Sequence, residues 1–149
     1  MRWQKLYNPM VSWLLRSPLH GPMSSSTMLI TYTGRKSGRA YTTPVNYVRD
    51  GETLLVVSPR DRIWWRNLRG GAPVTVLVAG RTLRGVGRAF EDEAAVEEGG
   101  LLTVLQKSPA LRRFWRVELD PDGKPQELQE LFRVARANAL IRIGDLVPA

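Results

Sequence analysis

The chain has 149 residues, which fits a single domain, 1–149, and 43% of them are apolar, as in globular proteins. Lysine and arginine total 22 against 14 acidic residues, so the net charge is +8 and favours anionic partners. Because there is no cysteine, disulfides, thiolate catalysis and cysteine-ligated metals are excluded, and a cytoplasmic location is favoured.

Residues 1–26 are predicted to form a helical segment that ends in a loop. An apolar stripe at helical spacing runs through it, formed by Trp3, Leu6, Tyr7, Met10 and Leu14. The longest uninterrupted apolar run, 13–15, is too short for a signal peptide or a membrane span. Two interpretations stay open for the stripe: packing against the barrel, or a lid or peripheral contact with the inner face of a membrane.

The middle of the chain is predicted to form five closely spaced strands, at residues 28–33, 40–49, 53–58, 73–79 and about 82–90. Asp50-Gly51 marks a hairpin, and Pro44 predicts an edge strand or a bulge because it has no amide to donate. A short helical piece, RIWWRNL, lies between the third and fourth strands. Hairpin links of this kind favour an antiparallel sheet that curls into a barrel.

The last third of the chain is predicted to contain both helices and a strand. Residues 91–107 are helical in character, weakened by Gly99-Gly100, and Ser108-Pro109 is expected to cap a short helix. Another apolar stripe follows near 128–135, and the segment ALIRIGDL is predicted to be a final strand that returns to the barrel. The expected fold is therefore α+β with a mainly β core of about six mostly antiparallel strands and flanking helices.

Catalytic and metal-binding sets are mostly missing, which leaves the turn GRKSG, 34–38, as the best candidate site. The single histidine, His20, has no evident partner, and no cluster has metal-ligand spacing, so no metal is expected. Glycines at both ends of the turn permit positive φ, and its cations can grip a phosphate or carboxylate. From spacing alone, an anion cradle and a solvated hairpin tip are equally supported.

A second candidate is the stretch SPRDRIWWRNLRGG, 58–71, where arginines surround two adjacent tryptophans. The two rings point about 100° apart on a helix, so one can enter the core while the other lies near a groove. A polyanion with a flat aromatic head would suit this mixture, and so would stacked single-stranded nucleic acid.

Together these stretches resemble the deazaflavin (F420)-dependent nitroreductase and quinone reductase family, whose members are split β-barrels that bind a flavin-like cofactor. The matching segments are LITYTGRKSGRAYTTPVNYVRDGETLLVVS, then WWRNL and PVTVLVAGR, with NPMVSWLLRSPLHG also similar. The resemblance covers most of residues 1–90. It implies that the turn holds the phosphate and acidic tail of coenzyme F420 through Arg35, Lys36 and Ser37. The other implied contacts are Tyr41, Val45, Asn46, Val56, Val57, Ser58, Pro59, Trp64, Trp65 and Asn67.

The implied activity is transfer of a hydride from reduced F420 to a small electron-poor acceptor, such as a quinone or nitro compound. Tyr32 and Ser58 are the candidate proton donors, and flavin mononucleotide is the alternative cofactor. The segment PRDRI, 59–63, is shorter than the corresponding family loop, so a non-catalytic carrier of a flavin or lipophilic ligand is the alternative function. A nucleic-acid-binding module has only charge and tryptophans in its favour, and no nucleic acid is expected as a partner.

Overall fold

A computed structural model of the chain describes residues 27–149. The predicted N-terminal helical segment, 1–26, lies outside the described residues. Seven strands are present in the described part: β1 (Thr27–Thr33), β2 (Ala40–Asn46), β3 (Val48–Asp50), β4 (Thr53–Pro59), β5 (Ala72–Val78), β6 (Arg81–Phe90) and β7 (Asn138–Pro148). A 3₁₀ helix (Trp64–Leu68) follows β4, and four α-helices lie between β6 and β7: α1 (Asp92–Glu97), α2 (Leu101–Lys107), α3 (Pro109–Trp115) and α4 (Leu128–Ala137).

All seven strands belong to one antiparallel sheet with the order β2-β1-β5-β6-β7-β4-β3. The two edge strands are consecutive in the chain, because β2 pairs with β1 and then, past Tyr47, β3 pairs with β4. One bent segment therefore belongs to both ends of the sheet and curls it into a split barrel.

The mainly β fold is confirmed, with two differences of detail. The predicted strand 40–49 is divided at Tyr47, which makes seven strands instead of six, and the predicted helix 91–107 is divided at Gly99-Gly100. Gly100 has a φ of 91° there, a conformation that ends one helix before the next begins. Pro44 lies in edge strand β2, where the missing amide costs least.

Successive side chains of a strand point to opposite faces of the sheet, and apolar side chains on the two faces form two separate cores. The barrel interior contains side chains from β1, β4, β5, β6 and β7, and Trp65 and Leu68 of the 3₁₀ helix plug it. On the outer face, Leu55 and Leu140 pack with the buried faces of α1, α2 and α4. A strand such as β4 is buried on both faces, which accounts for its nearly continuous apolar sequence TLLVVS. Among the described residues, no helix is long and apolar enough to cross a bilayer.

The register between β6 and β7 shifts at Gly85. The two backbones come close together there, so two glycines, Gly85 and Gly144, can be compared. A Cβ at Gly85 would lie 2.6 Å from the Gly144 carbonyl oxygen, whereas a Cβ at Gly144 would meet nothing within 4 Å. Gly85→Ala should therefore lower the free energy of unfolding by about 1–3 kcal/mol, because the two strands must separate. Gly144→Ala should change it by less than about 1 kcal/mol.

Urea unfolding followed by circular dichroism measures both variants under the same conditions. Equal midpoints for the two variants would contradict the packing of β6 against β7.

Candidate functional site: the split between two strand edges

The split of the barrel lies between β2 and the second half of β4. Cα atoms of the two strands come within 8 Å of each other, yet no ladder joins them. β3 covers β4 only as far as Leu55, so among the described residues Val56–Pro59 has no strand partner on the side away from β7. β2 is likewise unpaired on the side away from β1. In residues 27–149 no strand pairs with these two edges, although the Pro59 carbonyl accepts from the Arg62 amide at 3.1 Å. A ligand could satisfy other backbone groups there.

The Gly34–Gly38 turn closes one end of β2. Its frame is held by the Gly34 amide donating to the Arg39 carbonyl and the Gly38 amide donating to the Gly34 carbonyl, both at 2.8 Å. The amides of Lys36 and Ser37 donate to no acceptor among the described residues. The turn therefore presents two adjacent amides beside exposed cationic side chains, an arrangement that suits an anion.

Two contacts fasten this turn to the 3₁₀ helix. The Arg35 amide donates to Asn67 Oδ1 at 2.9 Å, and the Arg35 guanidinium donates to the Arg69 carbonyl. Asn67 Nδ2 in turn donates to the Trp64 carbonyl at 2.9 Å. The two motifs singled out in the sequence thus meet in space, with Asn67 as the link, and part of the hydrogen-bonding capacity of Arg35 is used within the protein.

Beyond this link, an ion-pair network connects the 3₁₀ helix with α4. Arg69 binds Glu91 through two hydrogen bonds of 2.9 and 3.1 Å, which raise the pKa of Arg69 above its ordinary value. Arg60 Nη2 lies 2.8 Å from Asp92, and Arg60 also donates to the Ala135 carbonyl at the end of α4. Because its guanidinium binds Asp92 and the Ala135 carbonyl, Arg60 stabilises the contact between the end of β4 and α4.

Three aromatic rings lie behind the turn. Tyr32 stacks on Tyr41 with ring centroids 5.7 Å apart, and it lies 5.7 Å from the Trp64 ring. The Tyr41 hydroxyl is 3.1 Å from Ser37 Oγ, which ties the rings to the turn. Burial, with a smaller contribution from Tyr41, raises the pKa of Tyr32 to about 12. Tyr32 is therefore a neutral phenol at any physiological pH.

The remaining residues implied by the resemblance fall on two sides of the sheet. Val56, Ser58 and Trp65 are buried towards the barrel interior, where Ser58 Oγ donates to the Pro59 carbonyl at 3.3 Å. Val45 packs partly buried against the same interior core. The other three line a groove on the outer face: Asn46, Val57 and Pro59.

Sequence reasoning missed the features that depend on contacts distant in the chain. The ion pair of Arg60 with Glu91 joins the residue after β4 to the residue before α1, and the wall of the outer groove comes from α3. A partial signal existed for α3, because Ser108-Pro109 predicts its start and Ser108 Oγ does accept from the Leu111 amide. Nothing local indicates that this helix lies against β4.

The family model for F420H(2)-dependent quinone reductases matches residues 17–104, which is more than half of the chain. The chain belongs to this family. The family name states the reductant, reduced coenzyme F420, so this quinone reductase family member is an oxidoreductase that depends on the deazaflavin. The expected family, enzyme class and cofactor are confirmed.

Solved structures agree on the fold. An F420-H2-dependent reductase, FDR-A, matches with a TM-score of 0.52 and 17% identity, over 79% of this chain and 93% of that chain. A structure described as a domain-swapped dimer matches with a TM-score of 0.52 and 17% identity, over 79% of each chain. These likenesses show the split-barrel fold that the F420H(2)-dependent quinone reductase family member adopts. No curated protein matches the chain.

The residues of the split fit an elongated anionic cofactor with a flat head. As far as residues 27–149 show, the amides of Lys36 and Ser37 have no acceptor, cations lie beside them, and the edges of β2 and β4 next to the turn have no ladder partner. A planar ring with polar edges could use those backbone groups, while its phosphate and acidic tail would match the turn.

The Asn67 link is tested by hydrogen exchange. Asn67→Ala should accelerate exchange of the Arg35 amide about tenfold, because loss of a hydrogen bond worth about 1–1.5 kcal/mol frees the turn. Asn46→Ala is the matched control, since Asn46 Oδ1 accepts from Thr27 Oγ1 at the other end of β2. Exchange at Arg35 that is the same in both variants would contradict the link.

Proposed function

We propose that the split between β2 and β4 seats F420 and that the chain uses it to reduce a quinone-like, electron-poor acceptor. The observation that carries the proposal is the meeting of the Gly34–Gly38 turn with the 3₁₀ helix at one end of two unpaired strand edges. When bound, the cofactor would supply a hydride, that is, one proton with two electrons, and a second proton from water would complete the reduction of a quinone to a hydroquinone.

The turn binds the anionic part of the cofactor in this proposal. Lys36 and Arg39 are exposed, and neither side chain has a partner among residues 27–149. A charge-assisted hydrogen bond contributes about 1.5–3 kcal/mol, and micromolar affinity requires about 8 kcal/mol. Two cations and two free amides therefore supply much of the required binding free energy.

The β4 edge orients the ring, with Val57 and Pro59 towards the outer groove and the buried Val56 and Ser58 supporting the strand from inside. The protein need not provide an acid or base for the hydride transfer itself. Nitro compounds as acceptors, proton donation by Tyr32 or Ser58, and membrane contact by residues 1–26 stay predictions.

Cofactor binding by the turn is tested with a charge-matched pair of double variants. Lys36→Ala with Arg39→Ala should weaken binding of oxidised F420 at least tenfold, because the tail loses its two unpaired cations. Arg81→Ala with Arg84→Ala removes the same charge from exposed positions on β6 and should change affinity less than threefold. Fluorescence titration of F420 at moderate salt measures both.

Equal weakening by the two double variants would show that net charge, not the turn, attracts the cofactor. No fluorescence change for the unmodified protein at high micromolar concentration would overturn the proposed function and favour a non-catalytic carrier.

The raised pKa of Tyr32 predicts a pH effect. Tyr32 has a pKa of about 12 against an ordinary 10.0, so it stays protonated up to pH 10 and titrates only above that. Tyr32→Phe should therefore leave the shape of the pH–rate profile unchanged between pH 6 and 10, whatever its effect on the absolute rate. If an alkaline limb present in the unmodified protein disappears in the variant, Tyr32 titrates far below the expected range.

A further inference from the structure

Arg69, which directly follows the 3₁₀ helix, joins two contacts from distant parts of the chain. Its backbone carbonyl accepts a hydrogen bond from the Arg35 guanidinium in the Gly34–Gly38 turn. Its side chain binds the Glu91 carboxylate through Nε at 2.9 Å and through Nη2 at 3.1 Å. Because Glu91 directly precedes α1, Arg69 connects the start of that helix to the turn.

Among the described residues, the main chain at Arg69 has few contacts that would fix its carbonyl. The amide donates to the Arg66 carbonyl at 3.3 Å, and a single bridge joins Arg69 to Ala89 of β6. Gly70 and Gly71 follow at once with φ of 77° and 98°, and glycine leaves the backbone conformationally free. The clamp on the Arg69 side chain therefore helps to hold the carbonyl within reach of the turn.

The clamp fixes the direction of the Arg69 side chain as well as its position. Two parallel hydrogen bonds from a guanidinium to a carboxylate permit only a narrow range of orientations. The guanidinium also lies over the ring of Trp65, 4.9 Å from the ring centroid, and Trp65 is buried in the barrel interior. Glu91 thus holds Arg69 against a ring that the core keeps in place.

Arg60 is the other cation near Glu91, but its position does not depend on this carboxylate. Its Nη1 lies 3.9 Å from Glu91, whereas its Nη2 lies 2.8 Å from Asp92 and 2.8 Å from the Ala135 carbonyl. The Arg69 side chain, in contrast, has Glu91 as its only acidic partner among the described residues. Removal of the Glu91 charge therefore affects Arg69 first.

We infer that Glu91 is a positioning residue for the cofactor-binding turn and acts on it through Arg69 and Arg35. For the identity of the ligand this relay rests on the proposed function, whereas the relay itself can be measured without a cofactor. Charge and positioning predict opposite effects at Glu91. Loss of a negative charge would by itself strengthen the binding of an anion, and loss of positioning would weaken it.

The sign of the effect is measured by fluorescence titration with oxidised F420. Glu91→Gln keeps the size of the side chain and should raise the dissociation constant at least about threefold, although it makes the protein more positive. Glu93→Gln is the matched control, since Glu93 is an exposed acid on α1 that has no partner in residues 27–149. It should leave the dissociation constant within about twofold of the unmodified value or lower it.

A double variant tests whether Glu91 acts through Arg35. Arg35→Met removes the guanidinium that reaches the Arg69 carbonyl. In that background, Glu91→Gln should change the F420 dissociation constant by less than about 1.5-fold, because the link to the turn is already broken. An undiminished effect of Glu91→Gln in the double variant would show a different route and overturn the relay.

Hydrogen exchange reads the relay without F420. The Arg35 amide donates to Asn67 Oδ1, so its protection reports how firmly the turn is held on the 3₁₀ helix. Glu91→Gln should accelerate exchange of this amide at least about threefold, and Glu93→Gln should leave it within about 1.5-fold. Circular dichroism and the urea midpoint check that both variants are folded.

The outcomes separate the relay from the proposed function. If F420 binds to none of the proteins and exchange is faster in Glu91→Gln, the proposed function is wrong and the relay is supported. Equal exchange at Arg35 in Glu91→Gln and Glu93→Gln would overturn the relay, whatever the affinities. So would F420 binding to Glu91→Gln that is as tight as binding to the unmodified protein, or tighter, because charge alone would then account for Glu91.

Discussion

The change of strand partner at Tyr47 is the constraint on which the site depends. Residues 40–50 pair first with β1 and then with β4, so one segment closes the barrel at the bend while the strands on either side diverge. In the described part of the chain, β2 and the second half of β4 have no ladder partner on these edges, and buried or half-buried backbone groups must be satisfied by another group, by water or by a ligand. The split is thus a product of main-chain geometry, with few demands on particular side chains.

Two elements that border the split differ in charge. The Gly34–Gly38 turn brings cations and free amides, and its attachment to Asn67 and Arg69 keeps it beside the split. At the other side, α3 adds an uncharged wall. An anionic group is therefore favoured beside the turn, and an uncharged group is favoured at the outer face.

Much of this fold could be predicted from the sequence because the signals are local. Alternation in 28–33, the hairpin at Asp50-Gly51 and the cap at Ser108-Pro109 each depend on neighbours within a few residues, and the structure contains all three. The division at Tyr47 could not be foreseen, since the alternation continues through it and only the partner changes. The adjacent tryptophans separate as helical geometry requires, with Trp65 buried and Trp64 partly exposed.

The site could be predicted only in part, because its residues come from separate elements. The composition of the turn supports an anion cradle and a solvated hairpin tip equally, whereas the use of Arg35 and Arg60 within the protein depends on carbonyls that lie 34 and 75 residues away. The sequence shows only that these arginines are positively charged, so it cannot tell a structural arginine from one that binds a ligand. Contacts distinguish those that hold the structure together from Lys36 and Arg39, which have no partners among the described residues.

The central claim, that the split seats the cofactor, is tested most directly by backbone amide NMR with added oxidised F420. The account predicts the largest chemical-shift changes at Lys36, Ser37 and Val56–Ser58, with little change in the hairpin that joins β5 to β6. Changes confined to that hairpin or to α4, with the turn and the β4 edge unaffected, would contradict it.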